Sequence, residues 1–185
     1  MDYLYSSLDP AIDRWCYVVA AILALGTGIV ANLFRLKKKL TWSQCIGMCL
    51  VVAYIFLVFG STVLSRPTYA THLYELHPFW SYEQIWNGNK SLFWEDILNV
   101  VLLIPEGVFL SMALRIGDLK NKYTAMTVIW ISFLTTVCIE GSQLIFRKGL
   151  FEFDDIFHNT LGGLLGCVIY LVIHKIWEIC AGHKQ

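Results

Sequence analysis

Residues 139–166 read IEGSQLIFRKGLFEFDDIFHNTLGGLLG, two apolar runs joined by a short polar turn. Glu140, Gln143 and Arg147 are spaced i, i+3, i+7, which predicts one shared helix face; Asp155 and Asn159, spaced i, i+4, predict a face of the next helix. The apolar runs on either side are too long for an ordinary soluble domain. Over 185 residues the chain is 57% hydrophobic, with a mean hydropathy of +0.58. A transmembrane helix needs about 20 mostly apolar residues to cross a hydrocarbon core of about 30 Å. Five stretches qualify, near 15–34, 44–64, 96–114, 124–146 and 156–175. The expected fold is therefore an all-α integral membrane bundle of five spans.

Basic residues are retained on the cytoplasmic side of a membrane. Arg35, Lys37, Lys38, Lys39, Arg115, Lys120, Lys122, Lys175 and Lys184, nine of the fourteen, follow spans 1, 3 and 5. This predicts an outside N-terminus and a cytoplasmic C-terminus, and the acidic leader with Asp2, Asp9 and Asp13 agrees. Span 1 lacks the basic flank and short apolar core of a cleavable signal, so it is expected to stay. The zero net charge comes with no basic, aromatic-interleaved patch, and no nucleic-acid partner is expected. All six cysteines fall in or at the ends of spans, where they read as small buried apolar residues and not as a disulfide framework.

No repeat or low-complexity linker divides the chain, which is expected to form one transmembrane domain over residues 1–185. Residues 65–95 form the one long connection, an outer-face loop with eight of the 27 aromatics. It reads as an aromatic belt at headgroup level, or as a lid with Arg66, His72 and His77 as polar contributors. By helical rise Glu140 sits about 9 Å, Asn159 about 6 Å and Asn99 about 4–5 Å inside the outer boundary, so the polar side chains converge on one layer. Membrane-buried charges face the bundle interior in pairs, and Glu140 is expected to pair with Arg147 or Arg66. Gly162 and Gly166 form a small-xxx-small stripe that should aim Asp155 and Asn159 at span 4. Deeper, Pro105 predicts a kink, and Glu106 is either a hydrogen-bonded structural acid or a proton-coupled group.

The run 99–107, Glu140-x-x-Gln143-x-x-x-Arg147, Asp154-Asp155, Asn159 with Gly162 and Gly166, and also Arg66 and Pro78-Phe79, resemble the VanZ-like family of bacterial membrane proteins. The resemblance spans about residues 60–170 and departs from the family's usual pattern at Glu106, where an apolar residue is the norm. It implies a multi-pass protein of the bacterial plasma membrane that lowers susceptibility to glycopeptide and lipoglycopeptide antibiotics, teicoplanin in particular.

The residues themselves suggest an outward-facing pocket. Glu140 and Asp155 would act as bases and Arg147 would stabilise negative charge, while Arg66, Asn99, Gln143, Asp154 and Asn159 would bind substrate. The partner would be a membrane lipid or a lipid-linked cell-wall precursor. Two readings stay open: an enzyme on such a molecule, or a non-catalytic module that binds the antibiotic, its target or a lipid. Walker A, HExxH and GxSxG patterns do not occur, and no cofactor is indicated. Asp154 and His158, at i, i+4, are too few to predict a metal.

Overall fold

The computed structural model describes residues 12–114 and 122–182. Asp2, Asp9, Arg115, Lys120 and Lys184 lie outside the described residues. Five helices are long and apolar enough to cross a membrane. They are α1 (Arg14–Leu36), α2 (Trp42–Phe59, prolonged by a π-helical turn Gly60–Leu64), α4 (Lys90–Leu114), α5 (Lys122–Phe146) and α6 (Phe153–Gly182). Between α2 and α4 lie strand β1 (Leu73–Glu75) and helix α3 (Trp80–Trp86), and β2 (Leu150–Glu152) precedes α6. The expected spans match these helices, with ends extended by a few residues.

Each boundary has a local cause. Thr41 starts α2 through a capping box: its hydroxyl accepts from Gln44 N at 3.4 Å while Gln44 Oε1 accepts from Thr41 N at 3.0 Å. Helix α5 ends in a Schellman motif. Arg147 turns left-handed with φ 56°, its N–H donates to Leu144 O at 3.3 Å, and Lys148 N donates to Gln143 O at 2.8 Å.

The centre of the bundle is the parallel pair α4 and α6. Cβ atoms added to Gly162 and Gly166 would collide with the carbonyl oxygens of Val100 and Ile104, and one on Gly107 with that of Gly163. Such close approach lets backbones touch along a small-residue stripe and brings Cα–H groups onto carbonyl oxygens. The stripe therefore faces α4, the third span, and not the fourth as the short turn before α6 suggests. Span 4 (α5) takes the adjoining Gly163 instead, against the Ser132 side chain. On the other flank Gly47 of α2 sits against the Ala113 backbone of α4, leaving α1 to pack on α2.

The connection between α2 and α4 is a folded cap and not an open loop. β1 pairs in parallel with β2, Leu73 opposite Leu150 and Glu75 opposite Glu152, a small sheet in an otherwise helical protein. Arg147 and Lys148 fasten the same connection: Tyr69 N donates to Arg147 O at 2.7 Å, Arg147 Nη1 to Ala70 O at 3.1 Å, and Lys148 Nζ to Arg66 O at 2.7 Å. His72 contributes a ring contact to Leu144 O at 2.7 Å, and both His72 and His77 are exposed. The rim keeps an exposed aromatic set, among them Tyr74, Phe79, Trp86, Phe93 and Trp94. Cys16, Cys45 and Cys167 are buried as expected of small apolar residues, but Cys138 and Cys180 are exposed on the outside of their helices; all are free thiols.

Gly162→Ala or Gly166→Ala forces a methyl into a backbone carbonyl, a change of the overpacking kind that costs about 1–3 kcal/mol or more. Thermal unfolding in detergent should show a midpoint several degrees lower for either variant. Gly141→Ala, where an added Cβ meets nothing within 4 Å, should match or exceed the parent.

Candidate functional site

The ends of α2 and α5 and the starts of α4 and α6 meet at one end of the bundle beneath the cap. Here a polar layer is assembled from four helix ends, two of them joined by the short turn after α5 and the others remote in sequence. Asn99 Nδ2 of α4 donates to Asp155 Oδ1 of α6 at 2.6 Å. Glu140, 2% exposed, accepts from Glu152 N through Oε2 at 3.3 Å. Gln143 is buried and donates to Thr62 O of the π-helical turn at 3.3 Å. Arg66, just beyond that turn, directs its guanidinium to Gly149: a Cβ there would stand 3.1 Å from Arg66 Nη1 and 2.6 Å from Gln143 Oε1. Glycine at 149 leaves room for both side chains.

Arg66 is the basic group in electrostatic range of Glu95, Glu140 and Asp155. Among the described residues it makes no ion pair within 4 Å. Around it the acids feel one another: Asp155 is within range of Glu140, Glu152 and Asp96, and Glu152 of Glu95, Asp96 and Asp154. A cavity of about 380 Å³ opens beside them, lined by Trp80, Asn89, Ser91, Leu92, Glu95, Leu150 and Glu152. Burial pushes the Glu152 carboxyl up to about 7; the charge of Glu95 adds to the shift and the Trp80 indole opposes it. Glu152 can thus hold or release a proton near neutrality.

Three of the expected site residues are used differently. Arg147 does not share a face with Glu140, because the left-handed turn takes it out of the helix to an exposed position at the cap. Asp154 is committed to the fold: its carboxylate accepts from Phe79 N at 2.5 Å, Ser81 N at 3.1 Å and Ser81 Oγ at 2.9 Å, holding the first turn of α3 and the left-handed Phe79. Asn159 faces α5 below the layer and donates to Thr136 Oγ1 at 3.1 Å. Arg66, Asn99, Glu140, Gln143 and Asp155 are brought together. Deeper still, Glu106 is fully buried and accepts from Thr135 Oγ1 at 2.7 Å.

The structure adds Glu95, Asp96, Glu152, His158 and Tyr82. Helical spacing could have found two of them, since Glu95 and Asp96 precede Asn99 by four and three residues. The phenol of Tyr82 lies 2.8 Å from His158 Nε2, and His158 Nδ1 lies 3.5 Å from Asp96 Oδ1. Burial, then the charges of Asp96 and Asp154, push the Tyr82 phenol up, so it stays neutral at physiological pH. Among the described residues no group of three or more His, Cys, Asp or Glu is arranged to hold a metal ion.

Five membrane-length helices with ionisable groups gathered at one end define a multi-pass membrane protein with a one-sided polar site. Residues 45–174 match the family described as VanZ/LLP1, and the chain belongs to that family. Protein VanZ of Enterococcus faecium is 31% identical over 83 residues, 45% of this chain and 48% of that protein. The chain thus spans about half the length of the curated relative it matches. No solved structure matches the chain.

Glu152 gives the site a pH signature with a defined sign. Its folded value of about 7 lies above the ordinary 4.5, so the folded state binds the extra proton. The stabilising contribution is complete below about pH 4.5 and is lost as pH rises through about 7. Glu152→Gln should flatten the pH dependence of thermal stability across that window; an unchanged profile would place the titration elsewhere.

Proposed function

We propose that this protein lowers susceptibility to glycopeptide and lipoglycopeptide antibiotics of the teicoplanin type by acting on an anionic lipid or lipid-linked cell-envelope molecule. The site faces outward from a bacterial plasma membrane. The observation that carries the reading is Arg66: a half-buried guanidinium without an ion pair among the described residues, set in a layer of carboxylates close to an open cavity. A guanidinium held this way suits bidentate pairing with phosphate or carboxylate. Membership of the VanZ/LLP1 family supports the antibiotic context, and the basic residues at the opposite end of the bundle support the outward orientation.

Arg66 takes the anion-binding role that spacing suggests for Arg147. Asn99 and Gln143 orient the bound group, while Glu140, Asp155 and Glu152 supply the acid and base. Any such step needs a proton acceptor near neutral pH, and Glu152 meets that requirement. Asp154 and Asn159 serve the site by holding α3 and α5 in place.

In a susceptible host expressing the protein, Arg66→Ala, Glu140→Gln or Asp155→Asn should return teicoplanin susceptibility to that of the empty host, with membrane abundance unchanged. Arg66→Lys keeps the charge but loses the fork. It should weaken the effect about ten- to hundredfold, as expected for one charge-assisted hydrogen bond of about 1.5–3 kcal/mol. Arg147→Ala should lower abundance more than it lowers the effect per molecule. Mass spectrometry of envelope lipids and muropeptides decides between turnover and binding, since identical profiles with and without active protein would leave only the non-catalytic module. Full activity of Arg66→Ala at normal abundance would defeat the reading.

A further inference from the structure

At the end of the bundle opposite the carboxylate layer, α1 and α2 enclose a second cavity of about 530 Å³. Its wall is formed by Gly26, Val30, Phe34, Leu40 and Met48, and is apolar almost throughout, with Lys39 at the mouth. Arg35, Lys37, Lys38 and Lys39 crowd the same turn, the last three exposed. From Arg14 to Tyr74 the sequence contains no Asp or Glu to neutralise them. Arg35 is fixed in place: its guanidinium lies 3.8 Å over the Trp42 ring and its Nε donates to Asn32 Oδ1 at 3.0 Å. Trp42 is 62% exposed, as an aromatic anchor at a membrane interface would be.

We propose that this groove binds an anionic phospholipid, its acyl chain lying between α1 and α2 and its phosphate held by Lys37, Lys38 and Lys39. The groove walls belong to helices of membrane length, so the surrounding medium supplies acyl chains and not water. A cavity lined this way takes a hydrocarbon chain, and a basic rim at headgroup level selects a net negative head over a zwitterionic one. Gly26 lines the slot, and a Cβ added there meets nothing within 4 Å, so a larger side chain has room to enter it. The first wall, α1, precedes the residues that match the family, while Met48 of the second wall lies among them. The groove is independent of the outward pocket.

Purified full-length protein is mixed with equal dioleoyl phosphatidylglycerol and dioleoyl phosphatidylcholine, and retained lipid is read by native mass spectrometry. The parent should retain phosphatidylglycerol about tenfold over phosphatidylcholine, in keeping with several basic residues at a membrane surface. Lys37→Gln, Lys38→Gln and Lys39→Gln combined should abolish the preference while thermal stability is kept, since all three side chains are exposed. Gly26→Leu should fill the slot and lower retention of both lipids; if it unfolds, Val30→Trp gives the same test one turn further along the same wall. Equal retention of both lipids by the parent overturns the proposal, and so does a preference that survives both the triple and the slot-filling variant. The comparison is repeated in an Arg66→Ala background, which takes the outward pocket's guanidinium out of play: the phosphatidylglycerol preference that remains should still be abolished by the triple lysine variant, and the loss of all preference in that background overturns the groove.

Discussion

The parallel contact of α4 and α6 fixes nearly everything else about the site. Val100 and Ile104 present carbonyl oxygens to Gly162 and Gly166 at a distance that no side chain tolerates, and this sets both the register and the depth of the two helices. In that register Asn99 reaches Asp155 and Asp96 faces His158, each pair joining α4 to α6. Helix α5 then lies along Gly163 through Ser132, one turn from Thr136 and two from Glu140. A shift of one residue along the stripe would break all of these pairings together.

The cap depends on the same placement. Asp154 and Asp155 occupy the first turn of α6, where the exposed N–H groups and the helix dipole favour negative charge. One of the pair turns outward to hold Phe79 and Ser81, and the other turns inward to Asn99. The connection between α2 and α4 is thereby tied to the helix that carries the site. β1 is tied to β2 by its ladder, which positions Glu152 over Glu140.

The spans were legible in the sequence because hydrocarbon thickness dictates their length, and the layer because charge inside a membrane stands out against apolar neighbours. Arg147 was not legible as a cap residue: seven residues after Glu140 it fits the helical period, and only the left-handed turn removes it from that face. Glu152 escapes periodicity altogether, since its position comes from a strand whose partner lies more than seventy residues away. The partner of the glycine stripe was hidden for a similar reason. A short connection marks α5 and α6 as antiparallel neighbours, but a parallel pair such as α4 and α6 shares no connection from which it could be read.

Two polar layers in the same three helices invite comparison. The deeper one is built from partial charges and hydroxyls: Thr135 donates to Glu106, and Asn159 to Thr136. This is how a membrane interior satisfies polarity with few ions. The upper layer gathers five acids, Glu95, Asp96, Glu140, Glu152 and Asp155, with Arg66 the basic group in range of three of them, and a charge buried without a partner costs several kcal/mol. Neutral partners of the deeper kind would satisfy the helices at lower cost. A guanidinium left without an ion pair among the described residues, and carboxylates left in excess, would balance if a ligand of the kind proposed brought an anionic group to Arg66 and a proton or cation to the acids. The proposed binding role would supply that balance, and the layer's position at one end of the bundle is where such a ligand would arrive.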